Sequence, residues 1–140
     1  MVADDFAVYL KTKNLHWHLS GSHFRNCHLM FDAQADQPIN STNPLAERVR
    51  KLGGTTLRSI SQISGTQTVQ DNYDDFVSPQ EMLKRRMQDN QTLARNQRAA
   101  HEVSDDNRDY ATASLMEVMI DEKERHTWFL FKDLRGDNQA

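Results

Sequence analysis

One cysteine, Cys27, stands among 140 residues. No internal disulfide can form, so a disulfide-stapled scaffold is excluded and a reducing compartment is the default. No apolar run approaches the ~18 residues of a membrane span, and no signal-peptide pattern opens the chain. Proline occurs three times and glycine five times. Those counts exclude a collagen-like chain and leave long stretches without a helix breaker. No run of alternating Val, Ile and Thr has strand period. No internal repeat or low-complexity tract is visible.

Apolar residues are scarce too, at 37%, and the mean hydropathy is −0.79. Disordered chains combine such polarity with high net charge. Here 17 Lys and Arg face 20 Asp and Glu, a net charge of −3. The pI near 6.0 gives no global electrostatic reason to bind nucleic acid. These values point to one polar, folded, cytoplasmic domain over residues 1–140.

What is present has helical period. Phe6, Tyr9, Leu10, Lys13 and Trp17 share a spacing that predicts a first helix over Val2–Leu19, ended by Gly21. It starts almost at the first residue, as a shortened N-terminal helix would. A second helix is expected from Ser22 to Gly53, with Phe24, Leu29 (or His28), Phe31, Leu45, Val49 and Leu52 as its stripe. Gly53-Gly54 is a C-terminal signal. Pro38 and Pro44 interrupt that segment, and each costs ~3 kcal/mol or more in a helix interior. A kink or break between Ala35 and Pro44 is expected, or a new helix capped by Asn43. Ser64–Ser78 reads as a connection with a short helix near Tyr73–Val77.

The next helix has the clearest start. Ser78 is the cap, Pro79 the first helical residue, and Glu81 completes a capping box. Leu83, Met87, Asn90, Ala94, Gln97 and His101 mark one mixed face to about Val103. Ser104–Asn107 reads as a turn. A last helix is expected from Asp109 to Arg135, ended by Gly136. The result is an all-α chain, a four-helix bundle with a long crossover between helices two and three.

Four of the six histidines lie close together: His16, His18, His23 and His28. Imidazole is a common ligand of iron, zinc and copper. His28 and Asp32 are four apart and share a helical face, as do Asn43 and Glu47. On one straight helix His28 and Glu47 would be about 28 Å apart. They cannot meet on one ion within a chain. An antiparallel two-fold pairing brings His28 of one copy toward Glu47 of another, twice per dimer.

The run Lys13-Asn14-Leu15-His16-Trp17-His18, then Gly21, Phe24, His28, Asp32, Ala46-Glu47-Arg48 and Leu52-Gly53-Gly54, resembles the signature of the Dps family. These are ferritin-like mini-ferritins, the DNA-binding proteins from starved cells. The last helix, with Ala113, Asp121, Trp128 and Phe129, is similar as well. The resemblance covers about residues 6 to 135. It implies a ferritin-like shell of twelve subunits that oxidises Fe(II), preferentially with hydrogen peroxide and otherwise with O2, and stores Fe(III) inside. It implies mononuclear or dinuclear iron sites with His16, His28 and Asp32 from one subunit and Glu47 from its partner. Trp17 would take up an oxidising equivalent, and Lys13 would pair with the aspartate. Asn43 stands where the family has an aspartate, so its place among the ligands is doubtful and the ferroxidase activity is expected to be weakened. The rival reading is a structural or DNA-protecting shell with a degraded metal site; a bacterioferritin-like or zinc-binding bundle is a further one.

The resemblance also assigns Asp105 and Asp109 to an iron-entry pore, whereas capping explains aspartates at any helix start. The Asp105–Asp109 spacing fails as a calcium loop, because Tyr110 and Met116 occupy the glycine and glutamate positions. Glu122 and His126 read as a solvated face, Met82, Met87, Met116 and Met119 as packing, and Cys27 as a small buried residue. The family's DNA binders often carry a Lys-rich N-terminal tail and sit at the nucleoid. Neither the N-terminus nor the net charge here supports tight DNA binding.

Overall fold

In a computed structural model that describes residues 1–22 and 24–137, the chain forms five helices. They are α1 (Val2–His18), α2 (Phe24–Lys51), α3 (Ile60–Thr66), α4 (Pro79–Asp106) and α5 (Tyr110–Asp137). No strand occurs among the described residues. The four long helices expected from the sequence are present, with the long connection between the second and third of them. Met1–Met82 and Leu83–Ala140 form two compact units.

In the first unit α1 packs on α2 and α3. The face α1 buries is not its aromatic stripe. It is Ala3, Ala7, Val8, Thr12 and Leu15, while Leu10 and Trp17 stay exposed. Phe6, Tyr9 and Lys13 are half-buried at its edge.

The expected break in α2 does not occur. The helix runs unbroken through Pro38 and Pro44, and Asn43 caps nothing. Phe31 and Ala35 before the prolines and Leu45 after them are all buried. That burial outweighs two missing backbone donors. Side chains add local bonds: Gln37 Nε2 donates to Ser41 Oγ, Ser41 to the Gln37 carbonyl, and Thr42 to the Ile39 carbonyl. Past Lys51, Gly53 takes a φ of 88°. Its N–H bonds the Arg50 carbonyl and that of Gly54 bonds Val49, the paired bonds of a Schellman cap.

The short helix lies at Ile60–Thr66, not near Tyr73. Ser59 caps it by accepting from the Gln62 N–H. Around Tyr73 the side chain of Asn72 accepts from the Asp74 N–H, a turn that competes with helix. The connection is fastened to α1 twice. The buried Asp4 carboxylate accepts from the N–H groups of Thr68 (2.6 Å) and Val69 (3.0 Å) and from the Thr68 hydroxyl (2.7 Å). Ten residues along α1, Asn14 donates to the Asn72 carbonyl at 3.0 Å. The crossover therefore runs along α1.

In α4 the expected cap holds, with Glu81 N–H bonding Ser78 Oγ at 3.2 Å. Leu83, Asn90, Ala94 and Gln97 are buried on the expected face. The helix runs past Val103 to Asp106, so most of the expected turn is its last turn. Arg108 follows with a φ of 59°. The bonds Arg108 N–H to Asp105 and Asp109 N–H to Ser104 make a second Schellman cap, without glycine. Asp109 then caps α5, accepting from Thr112 N–H and hydroxyl. Gly136 does not end α5, which continues to Asp137. Met82, Met116 and Met119 are packed as expected, but Cys27 is only half-buried.

Candidate metal centre

Gly21, with a φ of 115°, reverses the chain between α1 and α2. The Phe24 N–H bonds its carbonyl and starts α2. This tight return sets the end of α1 against the start of α2 and brings Lys13, His16, His28 and Asp32 together.

His16 and His28 stack with ring centroids 3.6 Å apart and planes 22° apart. Each ring is bonded to the other's backbone. His16 Nδ1 meets the His28 carbonyl at 2.7 Å, and His28 Nδ1 meets the His16 carbonyl at 3.2 Å. A carbonyl only accepts, so both Nδ1 atoms carry the proton. In the neutral rings both Nε2 atoms keep their lone pairs. Backbone bonds of this type orient metal-binding histidines.

Lys13 Nζ donates to Asp32 Oδ1 in an ion pair beside these rings. That hydrogen bond holds the Asp32 carboxyl below its usual range, with smaller help from His16 and His28. The same bond raises Lys13. The ammonium balances the charge of the carboxylate.

The remaining expected ligands are elsewhere. Asn43 and Glu47 lie on exposed turns near the far end of α2. His18 bonds its own helix at Asn14, and His23 lies outside the described residues. Among the described residues no three His, Cys, Asp or Glu side chains converge to hold a metal ion. A complete site therefore needs donors from outside this cluster. Trp17 is exposed on the next position of α1 from His16.

The surroundings of two residues escaped the sequence reading. Phe24 stacks on His28, a contact that their i, i+4 spacing already permits. His126 is not on a solvated face. It is half-buried, and burial lowers its pKa to about 4, with Arg86, Lys123 and Arg125 adding to the shift. Elsewhere in the second unit, Arg98 pairs with Glu124 at 2.7 Å and His101 with Glu117 at 3.3 Å. Asp105 is exposed, and Asp109 serves as the α5 cap.

The model of a ferritin-like domain matches residues 1–137. A DNA protection during starvation protein of Agrobacterium fabrum is 31% identical over 121 residues, which is 86% of this chain and 75% of that protein. The chain belongs to the Dps family of ferritin-like proteins. An uncharacterized low temperature-induced protein of Nostoc is 29% identical over 136 residues, 96% of this chain and 76% of that protein. The crystal structure of a Dps protein from Bacillus brevis superposes with a TM-score of 0.89 at 26% identity, covering 95% of this chain and 89% of that one. The all-helical order with its long crossover is the Dps fold.

Proposed function

We propose that this Dps chain is a subunit of a homo-oligomeric cage, of twelve copies, that oxidises Fe(II) and stores the Fe(III) it produces. The observation that carries the reading is the stacked His16–His28 pair, each ring bonded through Nδ1 so that Nε2 is left for a ligand, at the same end of the α1–α2 pair as the Lys13–Asp32 ion pair. Two imidazoles and a carboxylate suit Fe(II). Glu47 of a two-fold-related copy would supply the fourth donor, and Asn43 only a neutral carbonyl oxygen. Exposed Leu10, Trp17, Leu29 and Ile60 suit a subunit covered by neighbours rather than a free monomer.

In this reading iron enters past Asp105 and Asp109 and is substrate and cargo. Fe(II) displaces Lys13 from Asp32. Two Fe(II) each lose one electron, and one hydrogen peroxide takes both with two protons, leaving as two waters. O2 is the alternative acceptor. Trp17 beside the site can give up an electron when only one Fe(II) is present. Removing Fe(II) and peroxide together prevents hydroxyl-radical formation and protects the cell without tight DNA binding. A DNA-protecting shell with a weakened site is the second reading, favoured by Asn43.

The test is anaerobic loading with Fe(II) followed by peroxide, read as growth of ferric absorbance. The native chain is expected to build a ferric core, and His28→Ala to lose most of the rate. No core in the native chain would sink the ferroxidase reading. A native mass near twelve times 16.2 kDa checks the cage separately.

A further inference from the structure

His28 has two aromatic neighbours. His16 stacks on it at 3.6 Å. Phe24 stacks on it at 4.9 Å with planes 28° apart. A five-membered ring has room for one stacked neighbour per face, so Phe24 takes the face that His16 leaves. Phe24 precedes His28 by one turn of α2, the spacing at which helical side chains meet. It remains 43% exposed, so core burial does not account for its place.

The two histidines are held unequally. His16 has a 2.7 Å bond through Nδ1, whereas His28 has one at 3.2 Å. The final torsion of an imidazole side chain is broad. A long hydrogen bond alone restrains it weakly, and a rotated ring would give up the Nδ1 bond and turn Nε2 to a new direction. A flat neighbour resists that rotation, because the ring would have to give up its stacking contact.

We propose that Phe24 is a positioning residue for His28, closing the open face of the imidazole and holding Nε2 in its ligating direction. This rests on the proposed metal site, and it adds a residue that donates nothing to the ion. Phe24→Leu keeps the apolar bulk and the helix but removes the flat ring. Phe24→Tyr keeps the ring.

The test uses the full chain with Co(II) as the probe, followed by its visible absorption. Phe24→Leu is expected to weaken Co(II) binding roughly 3- to 10-fold, and Phe24→Tyr to stay within about 2-fold of native. In the metal-free protein, nitrogen-15 spectra should show one His28 tautomer, Nδ1–H, in the native chain and Phe24→Tyr. A mixture is expected in Phe24→Leu. Unchanged affinity and an unchanged single tautomer in Phe24→Leu would overturn the assignment. If the native chain bound no Co(II), the metal site itself would fall, and the tautomer result alone would decide for or against Phe24.

Discussion

Lys13 on α1 holds Asp32 on α2 in an ion pair, beside the stacked rings of His16 and His28. In the proposed metal site the ammonium and an incoming cation would compete for one carboxylate. Lys13→Met keeps the length of the side chain and removes the competitor. Divalent affinity is expected to rise roughly 3- to 10-fold, measured by Co(II) titration at neutral pH. A fall in affinity would show that Lys13 supports the site rather than blocking it.

Asn43 contributes no charge to the far end of α2, one turn before Glu47. It is exposed and sits within an unbroken helix, so Asn43→Asp needs no rearrangement. A second carboxylate beside Glu47 favours a hard cation more than an amide oxygen does. Peroxide-driven Fe(II) oxidation is expected to run several-fold faster in Asn43→Asp. An unchanged rate would remove Asn43 from the ligand set.

The start of α4, the end of α2 and the histidine spacing were legible in the sequence because they depend on local chemistry. Ser78-Pro79 and Gly53-Gly54 act within one turn, and His28 and Asp32 share a face by period alone. The unbroken α2 was not legible. Its tolerance of Pro38 and Pro44 comes from burial of Phe31, Ala35 and Leu45, a tertiary effect that outweighs local propensity. The Asp4 anchor was hidden for a related reason, since it meets Thr68 across 64 positions of sequence. The spacing of Phe6, Tyr9, Leu10, Lys13 and Trp17 showed the α1 helix but not its packing face, which is Ala3, Ala7, Val8, Thr12 and Leu15. The Lys13–Asp32 pairing was expected from family resemblance, but its overlap with the proposed iron position needed the fold.

His126 makes the fold sensitive to mild acid. Its folded pKa, about 4, lies below the ordinary histidine value of 6.5, first through burial and then through Arg86, Lys123 and Arg125. Between those values the unfolded chain binds a proton that the folded chain refuses. Stability from this group is therefore full above about pH 6.5 and is lost as pH falls toward 4. The loss should be about 1–2 kcal/mol, less than the full shift because the ring is partly open to solvent. His126→Gln should flatten the stability profile between pH 6.5 and 4, measured by urea unfolding. An acid limb identical to native would exclude His126 as its cause.

Arg108 holds the left-handed position of the α4–α5 turn, a place that Gly53 fills in the matching cap after α2. Both turns use the same pair of backbone bonds, but only the first has a residue free of Cβ repulsion there. An L-residue with a side chain costs roughly 1–2 kcal/mol in that conformation. Glycine loses more backbone freedom on folding, which offsets part of the gain. Arg108→Gly is therefore expected to stabilise the chain by about 0.5–1 kcal/mol, read from the urea midpoint at an unchanged slope. A lower midpoint would mean that the arginine side chain contributes a contact worth more than the strain it imposes.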